Sequence, residues 1–498
     1  MKNNLTFLIN KILNKDINKP IIGFKHNNKW IWKSRKKLKV NVLNCIEILK
    51  QKNIKENDRV VYKGNNSFEW ISWNIATNSL GAIWVPLYED QTDKYVNYII
   101  NDCSPKLMIS NKEYNQVENI NNLYLYENFI NDINSEILVN HFSHNSKIIY
   151  TSGTTGNPKG VVISHKNIVS NYRAINRRFK DLLDKEYTTL NILPWAHIYG
   201  LTTELYFNML NGNKIAISSN KENFIKELRE IKPNLLYLVP RVLELIKNKV
   251  EIFNKPIIRK IVPTLLNYLF GNNLVTIFTG GAKLSDETKA FYKENGIIIC
   301  EGYGCTETSP MISVNHLSDP RDDKSIGKVM DNLIVKIIDD EICVSGPSVM
   351  NGYWCDAKKT SESFVFYEDI FFYKTGDKGY LKDGFLYYEG RISENYKLNN
   401  GKFVPIMTIE DIVKKYTKSP FLIYGDNKPY NIIITELGSD INNNTIEKIN
   451  KELDNFLQIK KILYLKSETF SKYLTPKLSL KRKKLINDSI EKINNLYI

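Results

Sequence analysis

No C-x-x-C pair occurs in this chain, and its six cysteines (Cys45, Cys103, Cys300, Cys305, Cys343 and Cys355) are scattered. That spacing suggests neither a zinc site nor a disulfide framework, and it fits reduced thiols in a cytoplasmic, cytosol-like compartment. Long apolar runs are missing too. None reaches the roughly 18 residues of a membrane span, and the N-terminus lacks a signal-peptide apolar core. Leu5, Leu8, Ile9, Ile12 and Leu13 instead give Met1–Lys15 a basic amphipathic pattern that predicts a first surface helix. Internal repeats, a long Pro/Ser linker and a Ser/His/Asp nucleophile pattern are also absent. Charge is unbalanced, at a formal +15. A polyanionic cofactor, an anionic membrane or a nucleic acid would each suit that sign. Lysine, asparagine and isoleucine are nonetheless spread through every segment, loops included, as a compositional bias would leave them. A nucleic-acid interface would interleave basic residues with aromatics on one face. No nucleic acid is therefore expected, and at most weak peripheral contact with a membrane.

What is present is enough for real cores: 42% hydrophobic and 11% aromatic residues over 498 positions, too many for one compact domain. Strand-like and helix-like segments alternate. DRVVYKG (Asp58–Gly64) predicts a strand, SFEWISWNIATNSLG a helix ended by Gly81, and AIWVPL a buried strand. The rhythm indicates an α/β fold with several layers. It continues to about Gly390. Beyond it FLIYG and YNIIITEL predict strands and NTIEKINKELDNFL a helix, so the expected division is a large N-terminal α/β domain, 1–390, and a small α+β C-terminal domain, 391–498. The joint is short, near GRISENYKL.

YTSGTTGNPKG, Tyr150–Gly160, is the most concentrated piece of chemistry. IIY before it and VVISH after it predict a loop between two strands. A Walker A loop feeds straight into a helix, whereas here Lys159 is followed by Gly160 and a helix is expected only near Asn167, so this is not one. Glycines let backbone N–H groups approach oxygen closely, hydroxyls donate along a polyphosphate, and lysine is a mobile point charge. The string resembles the phosphate-binding loop of the adenylate-forming enzymes: acyl-CoA synthetases, luciferases and peptide-synthetase adenylation domains.

Other segments carry the same resemblance, in the family's order, each at an expected strand end or loop. LPWAHIYG (Leu193–Gly200) is similar to the acyl-site segment, which implies that His197 faces the reacting carboxylate. TGGAKLS places Gly280, Gly281 and Ala282 between the strand VTIFT and a helix capped by Ser285, and the resemblance sets that turn against adenine. In GYGCTET, following the strand IIIC, it implies that Tyr303, with Gly304, stacks on adenine, that Thr306 meets the α-phosphate and that Glu307 helps hold Mg²⁺, with Thr155. YKTGDKGYL supplies Asp377 for both ribose hydroxyls, assisted by Arg391; one carboxylate can accept two such protons. The implied nucleotide contacts thus include Thr151, Ser152, Gly153, Thr154, Thr155, Gly156 and Lys159, with Gly401 in KLNNGKFV. The implied fold is that of an adenylate-forming enzyme, with a hinge at Ser393.

Within the family the chain is most similar to long-chain fatty acyl-CoA synthetases, through VPRVLELI, LPWAHIYG and KLNNGKFV. The expected substrates are a fatty acid, ATP with Mg²⁺, and coenzyme A; acyl carrier protein or another thiol as acceptor, and a non-catalytic binding relative, are the alternatives. Departures exist. The segment between VPRVLELI and the Gly-Gly turn is short, and Pro405 falls one position early. In TPKLSLKRKKL, Ser479 stands where relatives place the adenylating lysine. Lys477 and Lys481 flank it by two positions, which on an extended strand puts all three on one face.

Overall fold

The computed structural model describes residues 3–120, 137, 144–151, 158–251, 259–474 and 480–498. The predicted first helix is present as Leu5–Leu13, capped by the Asn4 side chain, with Leu5, Ile9 and Leu13 buried. Arg59–Lys63, Ile83–Leu87 and Leu107–Ser110 pair in parallel, and the interiors of these apolar strands are buried, as parallel strands covered on both faces must be. The helix Phe68–Ser79 starts where Ser67 accepts the amide of Trp70 (3.0 Å). Gly81, at φ +77°, then turns the chain into the Ile83–Leu87 strand.

Two large sheets result among the described residues. The seven-stranded one runs from these parallel strands through Asn145–Thr151 and Lys159–Ser164 to the two-residue strand Gly352–Tyr353. In the fourteen-stranded one, Pro20–His26, Lys214–Ile217, Thr188–Asn191, Leu235–Leu238, Thr276–Thr279 and Ile299–Gly304 are parallel neighbours. From Ile299–Gly304 onward the pairing turns antiparallel, through Met311–Val314 and Lys328–Val329 to Phe385–Arg391 and Ile370–Lys382. The change of sense falls where the strand ends carry the glycine-rich motifs, the kind of place where open α/β sheets bind ligands.

After Phe385–Arg391 the chain builds a separate three-stranded sheet (Phe421–Tyr424, Asn431–Glu436, Ile459–Leu465) with the helices Ile406–Tyr416 and Asn443–Lys451. Two apolar clusters there contain only residues from Tyr396 onward, whereas the four others contain none beyond Tyr388.

Three expectations need correction. GYG is not a loop after its strand, because Ile299–Gly304 continues through it as one strand paired with Met311–Val314. Asp377 stands inside the thirteen-residue strand Ile370–Lys382, not at a strand end or in a loop. The C-terminal helix stops at Lys451 instead of running on through Leu457. Asn450 bonds both the N–H and the C=O of Ile459 (2.8 Å each), which fastens a turn in place of a further helical turn.

Candidate functional site

Lys159 opens the strand after the glycine-rich loop, paired with Thr151 across the hairpin, so both loop ends are anchored in the sheet. The loop's Ser152, Gly153, Thr154, Thr155 and Gly156 lie outside the described residues. Helix His165–Arg178 follows the second strand, closed by a Ser164/Asn167 capping box. Gly352–Tyr353 adds to the edge of the Lys159–Ser164 strand, with Trp354 N donating to Gly160 O (2.7 Å). This addition places the Tyr353 ring under the Lys159 ammonium (5.9 Å to the ring centre) and lets its hydroxyl donate to Glu307 Oε1 (2.9 Å). Burial and then the Lys359 ammonium lower the Lys159 pKa, against the carboxylates of Asp356 and Glu307. Lys159, Tyr353 and Glu307, far apart in sequence, thus form one cation–aromatic–carboxylate group. Tyr353 was not foreseen, because a two-residue strand has no sequence periodicity to read.

A second group joins Tyr303, near the end of strand Ile299–Gly304, to Asp377 inside strand Ile370–Lys382. Tyr303 donates to Asp377 Oδ2 (2.5 Å), and Arg391 Nε lies 3.1 Å from Asp377 Oδ1. Strands Ile370–Lys382 and Phe385–Arg391 pair Asp377 directly with Arg391. Asp377 is buried, and burial pushes its carboxyl up to about 6 against the pull of Arg391 and the Tyr303 hydroxyl. The neighbouring strand Thr276–Thr279 delivers Gly280–Ala282 beside Gly302. A Cβ on Gly280 would stand 3.0 Å from Gly302 O, and Gly281 has φ +83°, so both positions suit glycine. Glu301, which sequence reasoning missed, props this turn. Its carboxylate accepts from Leu284 N (2.8 Å) and pairs with Lys289 (2.6 Å) while almost wholly buried. Buried Thr306 begins the short 3₁₀ turn that carries Glu307.

His197 is half-buried in the Leu193–Gly200 segment. Its Nδ1 accepts from Tyr199 N (3.2 Å), and the π-helical turn Tyr199–Tyr206 follows. Wide helical turns of this kind recur at functional sites. A Cβ on Gly200 would come within 2.7 Å of Pro194 O, so the segment folds back closely on itself.

The C-terminal residues are placed less completely. Lys477 and Ser479 lie outside the described residues. Lys481 is exposed, but it is not on a strand: it precedes the helix Arg482–Asp488, and its backbone N–H donates to Tyr473 O (2.7 Å). Arg482, next to it, is ion-paired with Glu410. Gly401 (φ +82°) makes the exposed turn between Tyr396–Lys397 and Phe403–Val404, and Ser393 is exposed just after Arg391.

A family model described as AMP-binding enzyme matches residues 13–354, which hold both groups except for Asp377 and Arg391. The chain belongs to the AMP-binding enzyme family. It is similar to long-chain-fatty-acid–CoA ligase FadD15 of Mycobacterium tuberculosis, 25% identical over 447 residues that cover 76% of this chain and 72% of that one. Fatty acyl-CoA synthetase B of Dictyostelium discoideum is 30% identical over 441 residues, covering 70% and 63%. Among solved structures, ATP-bound MatB of Rhodopseudomonas palustris superposes with a TM-score of 0.80 over 98% of this chain and 99% of that one, at 19% identity. O-succinylbenzoate coenzyme A synthetase of Bacillus subtilis, in complex with ATP and magnesium ion, gives 0.77 over 96% and 98%, at 18% identity. These structural likenesses establish the adenylate-forming fold; the family match, with its relatives, supports an adenylate-forming acid–CoA ligase. ATP with Mg²⁺ and the co-substrate coenzyme A are the family's reactants. The donor set fits such a metal: Mg²⁺ is commonly bound through one or two carboxylates plus substrate phosphates, and the group holds one carboxylate, Glu307, beside Tyr353 and Lys159.

Proposed function

We propose that this chain activates long-chain fatty acids with ATP and passes the acyl group to coenzyme A. The observation that carries the reading is the convergence of a buried Asp377, shared by Tyr303 and Arg391, with the Gly280–Gly281 turn beside Gly302. A ribose needs the acid, and an adenine needs the flat glycine backbone and an aromatic ring. The Lys159–Tyr353–Glu307 group then stands for the phosphates. In the first half-reaction a carboxylate oxygen attacks the α-phosphorus, and pyrophosphate leaves with the electron pair of the broken P–O bond. In the second, the thiol of coenzyme A adds at the acyl carbon, its proton is lost, and AMP leaves. The protein contributes positioning and charge neutralisation, so no nucleophilic side chain is needed. Lys159 and the loop amides would bind phosphate oxygens, His197 would face the acid, and Glu307 would hold Mg²⁺, which would supply further positive charge to the phosphates. Residues 391–498, with their own cores, would form the domain that turns about Ser393 between the two steps.

The fatty acid rests on the names of the relatives FadD15 and acyl-CoA synthetase B. Proteins of the same fold include an o-succinylbenzoate–CoA synthetase and an anthranilate–CoA ligase, so the test spans acids of different kinds. Pyrophosphate release is measured with saturated acids of increasing length, 4-coumarate and an amino acid, with and without coenzyme A. Release that rises with chain length, with acyl-CoA formed, is the expected result. Turnover confined to aromatic or amino acids would overturn the substrate assignment. Ser479 favours a second reading, a binding protein that holds ATP and releases no pyrophosphate; turnover with any acid removes it.

A further inference from the structure

Within and just after the Leu193–Gly200 segment, Tyr199 N donates to His197 Nδ1 (3.2 Å) and Leu201 N to His197 O (2.9 Å). His197 N donates to Pro194 O (3.1 Å), and helix begins only at Tyr199. A segment that must hold a histidine against a reacting group needs bracing from outside. Asn66, in the turn between strand Arg59–Lys63 and helix Phe68–Ser79, provides it. Its Oδ1 accepts from Trp195 N (2.9 Å), and its Nδ2 donates to Leu193 O and to Asn191 Oδ1 (2.7 Å each). Asn191, the last residue of strand Thr188–Asn191, donates through Nδ2 to Leu193 O (2.9 Å) and to Glu204 Oε2 (2.6 Å). Glu204 is wholly buried within the π-helical turn, and among the described residues its Oε1 has no partner at hydrogen-bond geometry, the Trp195 indole being a close polar neighbour.

A buried carboxyl with one oxygen unpartnered is costly, and an apolar side chain of similar volume would pack the fold at least as well. What Glu204 adds is a fixed orientation for the Asn191 amide, and through it for the loop. Burial pushes its carboxyl well above the usual carboxylate range, against the Asn191 amide and the Trp195 indole. Glutamine is therefore its closest replacement. The chain of bonds also spans the two large sheets, since Asn66 follows a strand of one and Asn191 ends a strand of the other.

We infer that Glu204, Asn191 and Asn66 are positioning residues for acid activation: their hydrogen-bonded chain clamps the backbone at Leu193 and Trp195 and so sets where His197 meets the carboxylic acid. The inference rests on the acid-activating reading above. Initial rates of pyrophosphate release are measured on the full chain with acid and ATP varied separately, for wild type, Glu204→Leu, Glu204→Gln, Asn191→Leu and Asn66→Ala. Glu204→Leu, Asn191→Leu and Asn66→Ala are expected to lower kcat/KM for the acid by about tenfold or more, with KM for ATP within about twofold of wild type. Glu204→Gln keeps the wild-type values. Should the core variants not fold, Asn66→Ala, at a half-buried turn, decides alone. Equal falls for both substrates in proportion to lost folded protein, or an unchanged acid dependence in an active Asn66→Ala, overturns the positioning role and leaves the activity standing. In parallel, calorimetry compares dodecanoyl-sulfamoyl adenosine with AMP. Asn66→Ala should weaken the acyl compound by about tenfold and leave AMP unchanged. A wild type that releases no pyrophosphate with any acid and binds the two compounds equally overturns the acid-activating reading itself, and this inference with it.

Discussion

Glu307 and Lys159 meet over one tyrosine ring, and that arrangement decides what single substitutions should do. Glu307→Gln keeps the Tyr353 hydrogen bond and removes the charge. Acyl-AMP formation should fall by about 10²-fold, the scale of losing one preorganised electrostatic element, with little change in melting temperature. Near-normal rates would remove Glu307 from the phosphate group. Asp377 makes a pH-dependent prediction. Its carboxyl titrates at about 6 in the fold, against an ordinary 3.8, so between those values the native chain binds more protons than the unfolded one. Its contribution to stability therefore falls as pH rises through that window. Ribose binding has the opposite sense, since the ionised acid accepts two hydroxyl protons. The ratio of affinities for ATP and 2′-deoxy-ATP, from which the phosphates' own titration cancels, should fall as pH drops through about 6. In Asp377→Asn the ratio should be low and flat, and a wild-type ratio independent of pH would reduce Asp377 to a structural role.

Elements place these residues, and the tightest fit is the turn after Ile299–Gly304. A Cβ on Gly304 would lie 1.7 Å from the carbonyl oxygen of Pro310, on backbone that cannot step aside. Gly304→Ala should cost more than the roughly 1–3 kcal/mol of ordinary overpacking. Its melting temperature should drop, and added ATP should no longer raise it; a variant that ATP still protects like wild type would contradict this. At the C-terminal end, Lys481 is an exposed cation just ahead of a helix, while Arg482 is tied to Glu410. If Lys481 neutralises the forming bond between acid and α-phosphate, Lys481→Ala should abolish pyrophosphate exchange and spare thioester formation from supplied acyl-AMP. Exchange that survives in Lys481→Ala and in the double alanine variant with Lys477 would assign the cation elsewhere.

For the whole molecule, charge and layering make the testable statements. Among the described residues no helix is long and apolar enough to cross a membrane. A net +15 still predicts weak attraction to anionic vesicles. Sedimentation with phosphatidylserine vesicles should show binding at low salt that disappears by about 0.5 M, where the Debye length shrinks to a few ångströms. Absence of binding at every salt concentration would mark the charge as compositional.

The sequence by itself determined whatever depends on neighbours along the chain. The alternation of strand and helix, the Ser285 cap, the strand-to-strand setting of the glycine-rich loop and its difference from a Walker A motif were all legible. So was the change of pattern near Gly390, because periodicity and turn chemistry are local. Tertiary structure alone decided what depends on distant pairing. Tyr353 reaches Lys159 only because two residues add to a sheet edge, and Asp377 meets Tyr303 and Arg391 only through strand register. Glu301 and Glu204 carry no signal at all in sequence, since an isolated acid in an apolar run looks the same whether it is solvated or buried. Burial and hydrogen-bond partners fix such a residue's chemistry, and both arise only when segments more than a hundred residues apart close on one another, as Asn66 and Asn191 do.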